Sequence, residues 1–281
     1  MRTSVIIVLL GVIVGACTAA IFLDPAKLTA TPERPATAPS PDFPARSLIA
    51  PSAAPSPKDV KVAVDVRGEW SWALRELGSG VVVGDGTLRN TTESVVKIWL
   101  AVDFLASHAP PLAADDEGRL TRMIRMIRNS DDHAAQALYL RLGGDESIRR
   151  MIRTCDLHET RIHPDWWSKT TMSASDATLL GRCVARGPGV SEPWRAKVLE
   201  LMRSVDPGDA FGIAEAPALA GERVAVKNGW TRHGTWWAVN CLAIWDHWVL
   251  AVMVHYPDQG TEYRYGADVC MNVAQQLFGS W

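Results

Sequence analysis

The residues best able to do chemistry begin with a serine and a lysine three positions apart, Ser94 and Lys97. Three residues make about one helical turn, so the lysine amine and the serine hydroxyl would share one face of a helix. Burial lowers the pKa of a lysine from its usual value of about 10.4, which lets the free amine act as a base. The pair therefore indicates a lysine-activated serine nucleophile, although the same spacing also occurs by chance in structural helices.

A second polar group, Ser130-Asp131-Asp132, separates two helical patterns. A serine hydroxyl in such a loop can pass a proton to a departing nitrogen, and Asp131 can cap the following helix by accepting from its free backbone N–H groups. Helix capping alone would account for these residue types. The group has a chemical interpretation only together with Ser94 and Lys97.

A third group, Lys227-Asn228-Gly229, follows the strand-like run 224–226. A lysine that faces a groove at the edge of a sheet would bind a substrate carboxylate, and a glycine lets the substrate backbone lie close to the strand. Taken by itself, Lys227 is more simply interpreted as a solvated lysine at the end of a strand.

The ordered motifs Ser-x-x-Lys, Ser-Asp-x and Lys-x-Gly resemble the signature of class A β-lactamases and penicillin-binding proteins, and the resemblance covers about residues 70–281. It implies the two-lobed fold of that family. The roles of nucleophile, general base, proton donor to the leaving nitrogen and carboxylate ligand would then belong to Ser94, Lys97, Ser130 and Lys227. The backbone N–H groups of Ser94 and Trp230 would form the oxyanion hole, with an acyl-enzyme on Ser94 as the intermediate.

Two motif positions depart from the family pattern. Asp132 stands where the family has asparagine, and a carboxylate cannot donate the hydrogen bond that an amide gives to a substrate carbonyl. Asn228 replaces threonine or serine and keeps both a donor and an acceptor. We expect Asp132, Asn228 and Gly229 to contact the substrate. Arg232, predicted in a hairpin turn, is either a second carboxylate ligand or a solvated arginine.

The loop between Ile162 and Thr170 is shorter than its counterpart in that family and lacks the Glu-x-x-x-Asn pair that activates water. Asp165 is the only acid in this loop, so it is the candidate base for deacylation. A surface aspartate beside Pro164 is the simpler interpretation of the same residue. We therefore expect slow deacylation.

The elements that must position these residues follow from hydrophobic periodicity. The patterns 70–77 and 81–83 predict a β-hairpin, and 94–107 predicts a buried helix with a cap at Thr91, Thr92 or Ser94. Further helices are predicted at 120–128, 133–142, 148–155, 175–186, 195–204 and 266–278, and further strands at 223–229, 235–245 and 248–256. The order predicts an α+β fold, in which an antiparallel sheet from both chain ends carries an inserted all-helical lobe.

Residues 1–23 are predicted to be a membrane anchor or a lipoprotein-type signal. The stretch from Val5 to Leu23 carries no charge and is about as long as a short transmembrane helix. Residues 14–17, Val-Gly-Ala-Cys, resemble a bacterial lipoprotein cleavage box with Cys17 as the lipidated residue. The apolar run continues to Leu23, which favours an uncleaved anchor instead. Both alternatives stay open, and both place the rest of the chain outside the cytoplasm.

Residues 24–57 are rich in proline, alanine, serine and threonine and contain few large apolar residues. We predict a disordered, semi-extended spacer, because such a segment cannot bury a core. The spacer would hold one folded domain, residues 58–281, away from the membrane surface and within reach of a polymeric wall substrate.

The five cysteines suit an oxidising compartment. Without Cys17 of the anchor, an even set remains: Cys155, Cys183, Cys241 and Cys270. Such a set can form disulfides outside the cytoplasm. We favour a Cys241–Cys270 pair, because a sheet strand and the closing helix would bring the two together, and four free buried thiols are the alternative.

The overall composition excludes several partners. A net charge of -2, with acidic and basic residues interleaved and no long Lys/Arg run, argues against nucleic-acid binding. No spacing typical of a metal site occurs, and we expect no cofactor. We expect a monomer that takes a small-molecule or peptidoglycan-like substrate and contacts the membrane through its N-terminal anchor.

Two functions compete at this point. The first is a serine hydrolase acylated at Ser94 by a β-lactam or a D-Ala-D-Ala-like peptide, with turnover closer to that of a peptidase than to efficient resistance. The second is a degenerate member of the same fold that serves as a cell-wall-binding or sensory module. Asp132, Asn228 and the short loop favour the second.

Overall fold

The computed structural model describes residues 61–107, 117–260 and 262–279. The predicted anchor and the predicted spacer lie outside these residues, so their boundaries stay predictions. Among the described helices, none is long and apolar enough to cross a membrane.

The described chain contains a six-stranded antiparallel sheet and a separate two-stranded ribbon. The strands are β1 (Glu69–Glu76), β2 (Val82–Val83), β3 (Arg89–Thr91), β4 (Thr171–Ser173), β5 (Ala225–Val226), β6 (Gly229–His233), β7 (Trp236–Trp245) and β8 (Trp248–Pro257). The order in the main sheet is β2-β1-β8-β7-β5, and β6 pairs with the opposite end of β7. Strands from before and after the helices therefore share one sheet, which confirms the predicted α+β fold.

The helices in the described residues are α1 (Lys97–Ala106), α2 (Glu117–Arg128), α3 (Asp132–Arg141), α4 (Asp145–Cys155), α5 (Ala174–Arg186), α6 (Glu192–Arg203) and α7 (Arg264–Phe278). Several of these helices begin up to three residues before the start that apolar periodicity predicts. The added first turns contain acids such as Glu117 and Asp145, which are stabilised near the positive end of the helix dipole. Periodicity alone misses them because they are polar.

The main sheet is buried on both faces, as the alternation along β8 shows. Val249 and Ala251 belong to a core shared with α1, α5 and the rest of the helical lobe. Leu250 and Val252 belong to a second core shared with α7. Successive strand side chains point to opposite faces, so a strand buried on both faces is a continuous apolar run.

Two features of the strands differ from the prediction. The ribbon β3–β4 is not predicted, because both strands are three residues long and largely polar. The single strand predicted at 223–229 is instead two strands, with β5 ending at Val226 and β6 beginning at Gly229. Lys227, between them, still donates its N–H to Leu242 O of β7 at 2.9 Å.

Two disulfides join elements of the domain. Cys241–Cys270 links β7 to α7, which confirms the favoured pair, and Cys155–Cys183 links α4 to α5. The alternative of four free thiols is therefore wrong. Gly212, with a φ of 77°, packs against the first bridge, and a Cβ there would lie 2.8 Å from Cys241 Sγ.

Candidate active site

Ser94 lies half-buried in a 3₁₀ helix, Glu93–Val96, that continues directly into α1. The predicted side-chain cap is not formed at either helix start. Thr92 instead ties this turn to the loop before β4, since its N–H donates to Thr170 O at 2.7 Å. Residues 92–96, which carry the predicted nucleophile and are called the nucleophile turn below, are thus held by a neighbouring loop.

Lys97 is fully buried, and its amine faces the loop before α3. Nζ donates to Ser130 O at 2.6 Å and to Asp132 Oδ1 at 2.6 Å. Burial lowers the pKa of Lys97, while nearby carboxylates, foremost Asp132, oppose the shift. Within the described chain no hydrogen bond joins Lys97 to Ser94. Catalytic hydrogen bonds are often loose before substrate binds.

Ser130 lies between two lysine amines. Its Oγ accepts from Lys227 Nζ at 2.9 Å and from Lys97 Nζ at 3.4 Å. The residue has a left-handed φ of 51° at the turn before α3. Asp131 fixes that turn by accepting from Ala134 N at 2.9 Å, which confirms the predicted helix cap.

Lys227 is 1% exposed and follows β5. Burial, followed by the cation at Lys97, lowers the pKa of Lys227 to about 7, with Asp209 opposing. Asp209 is half-buried beside both lysines, and burial raises the pKa of its carboxyl. The sequence analysis missed Asp209 because it lies in a segment without regular periodicity.

A pocket with a volume of about 370 Å³ is lined in part by Ser94. Its walls include Glu93, Ser94, Asp132, Trp166, Trp167 and Trp230. Of the predicted site residues, Ser94, Asp132 and Trp230 therefore meet at one cavity. Tryptophan side chains and the exposed Asp132 side chain line this cavity, so it offers apolar contact together with a hydrogen-bond acceptor.

Gly229 brings β6 against the nucleophile turn. A Cβ at this position would lie 2.6 Å from Ser94 N and 2.8 Å from Thr92 O. Both neighbours are backbone atoms, which cannot move aside without shifting the turn. Gly229 thus acts through close packing of two backbone segments, one of which leads to Trp230.

A family model described as a beta-lactamase enzyme family matches residues 120–281, more than half of the chain. The chain belongs to the beta-lactamase enzyme family. The matched residues include Ser130 and Lys227 and begin after Ser94 and Lys97.

Solved beta-lactamases have the same fold. A beta-lactamase from Desulfarculus baarsii is 18% identical with a TM-score of 0.63, and the match covers 76% of this chain and 91% of that one. A class A beta-lactamase from Mycobacterium abscessus is 19% identical with a TM-score of 0.59, and the match covers 76% of this chain and 95% of that one. At such identities the likeness shows the fold and not the activity.

A curated relative is closer in sequence. The Mycobacterium tuberculosis protein named "Putative lipoprotein LppW" is 31% identical over 173 residues, 57% of this chain and 53% of the relative. The Mycobacterium bovis protein of the same name matches equally. This beta-lactamase family member thus spans about half the length of the curated relatives it matches.

Two predicted substrate ligands are engaged elsewhere in this family member. Asn228 is buried, and its Nδ2 donates to the backbone oxygens of Asp209 and Phe211 at 2.9 and 2.8 Å. Arg232 lies within β6 and pairs with Asp258 at 2.7 Å, so its predicted place in a hairpin turn is wrong. The direction of the Asn228 side chain thus depends on the backbone of residues 209–211, which packs beside it in the folded domain. The residues next to Asn228 in the sequence do not indicate this contact.

In the short loop of this beta-lactamase family member, Asp165 is not among the residues that line the pocket. Asp165 is exposed, and its N–H donates to the Asp145 carboxylate at 3.2 Å. The adjacent Trp166 and Trp167 line the cavity instead. Lys169 Nζ lies 3.8 Å from the centroid of the Trp166 ring, as in a cation–π contact.

The sequence analysis missed Glu93, the residue immediately before Ser94. Glu93 is buried, and its carboxylate accepts from Thr231 Oγ1 and His233 Nε2, each at 2.7 Å. Its φ is 47°, a left-handed conformation that costs a non-glycine residue about 1–3 kcal/mol. Because the partners lie far along the chain, no local pattern indicates the contact.

Proposed function

We propose that this protein is a serine hydrolase acylated at Ser94 by a β-lactam or a D-Ala-D-Ala-like peptide. The observation that carries the proposal is the convergence of two buried lysine amines, Lys97 and Lys227, on the Ser130 hydroxyl beside the pocket that Ser94 lines. Burial disfavours the ammonium form of each lysine and so lowers the stability of the fold, and buried groups with such lowered pKa values cluster at functional sites.

The arrangement supports a complete acylation sequence. Lys97, as the free amine, accepts the Ser94 proton while Ser94 Oγ attacks the carbonyl carbon. The backbone N–H groups of Ser94 and Trp230 hold the developing oxyanion. When the carbon–nitrogen bond breaks, Ser130 gives its proton to the nitrogen and regains one from the Lys97 ammonium. An ester on Ser94 and a free amine result.

Deacylation is the slow step in this proposal. Water must attack the ester with help from a base, and the loop that would supply a glutamate is short. Asp165 is exposed and contacts Asp145, which supports its interpretation as a surface residue. The adduct is therefore expected to persist, and hydrolysis of a chromogenic β-lactam to be slow.

We propose an extracytoplasmic location with membrane attachment at the N-terminus. The two disulfides suit an oxidising compartment. The relatives carry the name "Putative lipoprotein LppW", which supports lipidation at Cys17 over an uncleaved anchor. A peptidoglycan-like substrate would then be near the membrane-attached domain.

Intact-mass measurement after incubation with excess penicillin tests the proposal. One acyl group should be added per molecule, and Ser94→Ala should abolish the addition. Lys97→Ala should slow it by about 10²–10⁴-fold, the usual contribution of a general base. Asp165→Ala is the matched control and should leave the rate and the adduct lifetime unchanged.

A wall-binding or sensory module is the second candidate. Asn228 and Arg232 are both held by other parts of the domain, which leaves fewer ligands for a substrate carboxylate. Saturable binding of a D-Ala-D-Ala peptide, without an adduct from any β-lactam and without peptide hydrolysis, would favour this function.

A further inference from the structure

Two hydrogen bonds join the Glu93 carboxylate to strand β6. Oε2 accepts from Thr231 Oγ1 and Oε1 accepts from His233 Nε2, each at 2.7 Å. Both partners lie on the same side of the strand, because they are two residues apart. The Glu93 side chain is 5% exposed, so its carboxylate is largely removed from bulk water. The contact spans from the residue before the nucleophile to the strand beside it.

The strand that Glu93 holds also carries Trp230. Thr231 follows Trp230 directly, and Gly229, just before it, packs against Ser94 N. The Trp230 ring is fixed from elsewhere, with centroids 5.0 Å from Phe211 and 5.6 Å from Tyr263. The position of the Trp230 N–H relative to Ser94 is therefore restrained on both sides along the strand.

We propose that Glu93 is a positioning residue for acylation, which holds β6 against the nucleophile turn so that the N–H groups of Ser94 and Trp230 stay aligned on one oxyanion. The inference rests on the proposed function. Glu93 acts through backbone groups and does not touch the reacting atoms. Its left-handed conformation is retained because these contacts, together with the packing of the turn, determine it.

The mechanism depends on the hydrogen bonds and not on the negative charge. The side-chain amide of a Glu93→Gln variant would accept from Thr231 through its carbonyl oxygen and donate through its nitrogen to the other imidazole tautomer of His233. A Glu93→Ala variant would lose both bonds. Alignment errors of about 1 Å cost roughly 10²-fold in rate. The acylation rate of Glu93→Ala should therefore be clearly lower than that of Glu93→Gln.

The test measures the rate of acylation of the full chain by a fluorescent penicillin, as a function of its concentration. Glu93→Ala should lower the maximal rate about 10–100-fold, with little change in the half-saturating concentration, and Glu93→Gln should restore most of it. Thr231→Val should give an intermediate loss and covers the case in which Glu93→Ala fails to fold. The matched control is Glu215→Ala, which removes a carboxylate bound to Gly212 N and Arg264 outside the pocket.

Three results would overturn the inference. Glu93→Gln as slow as Glu93→Ala would assign the effect to the charge. Glu93→Ala equal to Glu215→Ala would assign it to stability. If the parent protein is not acylated at all, the proposed function is wrong, and so is the role of Glu93 in positioning the oxyanion hole. Amide hydrogen exchange across 229–233 then still tests the contact, because equal exchange in Glu93→Ala and the parent would show that Glu93 does not hold the strand.

Discussion

At the scale of the residue, Asp132 and Lys97 form a contact that opposes the proposed base. Asp132 Oδ1 accepts from Lys97 Nζ at 2.6 Å and favours the ammonium, whereas burial of Lys97 favours the free amine. Burial is the larger of the two influences on the pKa of Lys97. The aspartate therefore acts against the activation that the buried position provides.

Asp132→Asn is expected to speed acylation near neutral pH. Loss of the carboxylate lowers the pKa of Lys97 further, and each unit of that shift gives up to about tenfold more free amine. The rise of the acylation rate with pH should move to lower pH. A rate profile measured with parent and variant checks this, with Asp165→Asn as the control for loss of one surface charge. An unshifted profile would contradict the assignment of Lys97 as base.

Gly229→Ala is expected to remove most acylation while the domain stays folded. The added Cβ would lie 2.6 Å from Ser94 N, so β6 and the nucleophile turn must separate. Loss of one oxyanion donor costs about 10²–10³-fold in rate. Gly208→Ala is the control, since a Cβ there meets nothing within 4 Å. Equal acylation rates in the two variants would disprove the close-packing argument.

At the scale of the element, one disulfide joins a helix to the sheet and the other joins two helices. The Cys241–Cys270 bridge joins β7 to α7 inside the second core, where its cysteines are 1% and 0% exposed. Cys155–Cys183 joins α4 to α5 nearer the surface, at 5% and 7%. The two close loops of similar length, so loop entropy alone would make them equivalent.

Replacing either pair by alanine should lower the free energy of unfolding by about 2–5 kcal/mol. The Cys241/Cys270 double variant should lose more, because its deleted sulfurs leave space in a closed core. Urea unfolding of the two double variants under oxidising conditions checks the ranking. A larger loss for Cys155/Cys183 would show that the packing of the buried sulfurs does not set the ranking.

At the scale of the whole molecule, the start of the described domain is attached to its end. Val62, Val64 and Val66 pack against the second core. Ala63 exchanges two hydrogen bonds with the side chain of Gln276 on α7, at 2.9 and 2.8 Å. The segment before β1 is thus part of the fold.

A chain that begins at Lys58 is expected to fold cooperatively and remain soluble, since it retains these contacts. A chain that begins at Glu69 lacks them and should unfold at lower urea concentration. Denaturation curves of the two truncated proteins give the comparison. Coincident curves would show that residues 58–68 contribute nothing, and loss of cooperativity in the longer chain would show that the predicted boundary at Lys58 is wrong.

Stability should rise with pH above neutrality because of Lys227. Its pKa is lowered to about 7 in the folded protein, while the unfolded chain holds the proton up to about 10.4. Between these values the unfolded state binds more protons, so the free energy of unfolding increases with pH. Lys227→Met should flatten that slope, which urea unfolding at about pH 7.5 and about pH 9.5, both inside this window, would detect. Parallel slopes for parent and variant would contradict the lowered pKa.

The amino-acid sequence alone determined most of the secondary structure, because helices and strands depend on the pattern of nearby residues. Apolar periodicity and turn residues were sufficient for most helices, for the long strands β7 and β8, and for the fold class. The spacing of Ser94 and Lys97 likewise depends on helix geometry alone. The Cys241–Cys270 pair was favoured, with free thiols as the alternative, because its strand and helix were predicted. The helices, the long strands and the Ser94–Lys97 spacing depend on residues close in the chain, whereas the disulfide was inferred from the elements that these patterns predict.

The tertiary structure alone decided which distant residues are in contact, where side chains point and how burial changes their pKa values. Glu93 and His233 are 140 residues apart and meet only after β6 packs on the nucleophile turn. Asn228 turns towards Phe211 and away from the groove, although its motif position suggested the opposite. The lowered pKa of Lys227 likewise comes from burial by the whole domain. Side-chain direction and charge state depend on packing and desolvation, which a linear pattern does not contain.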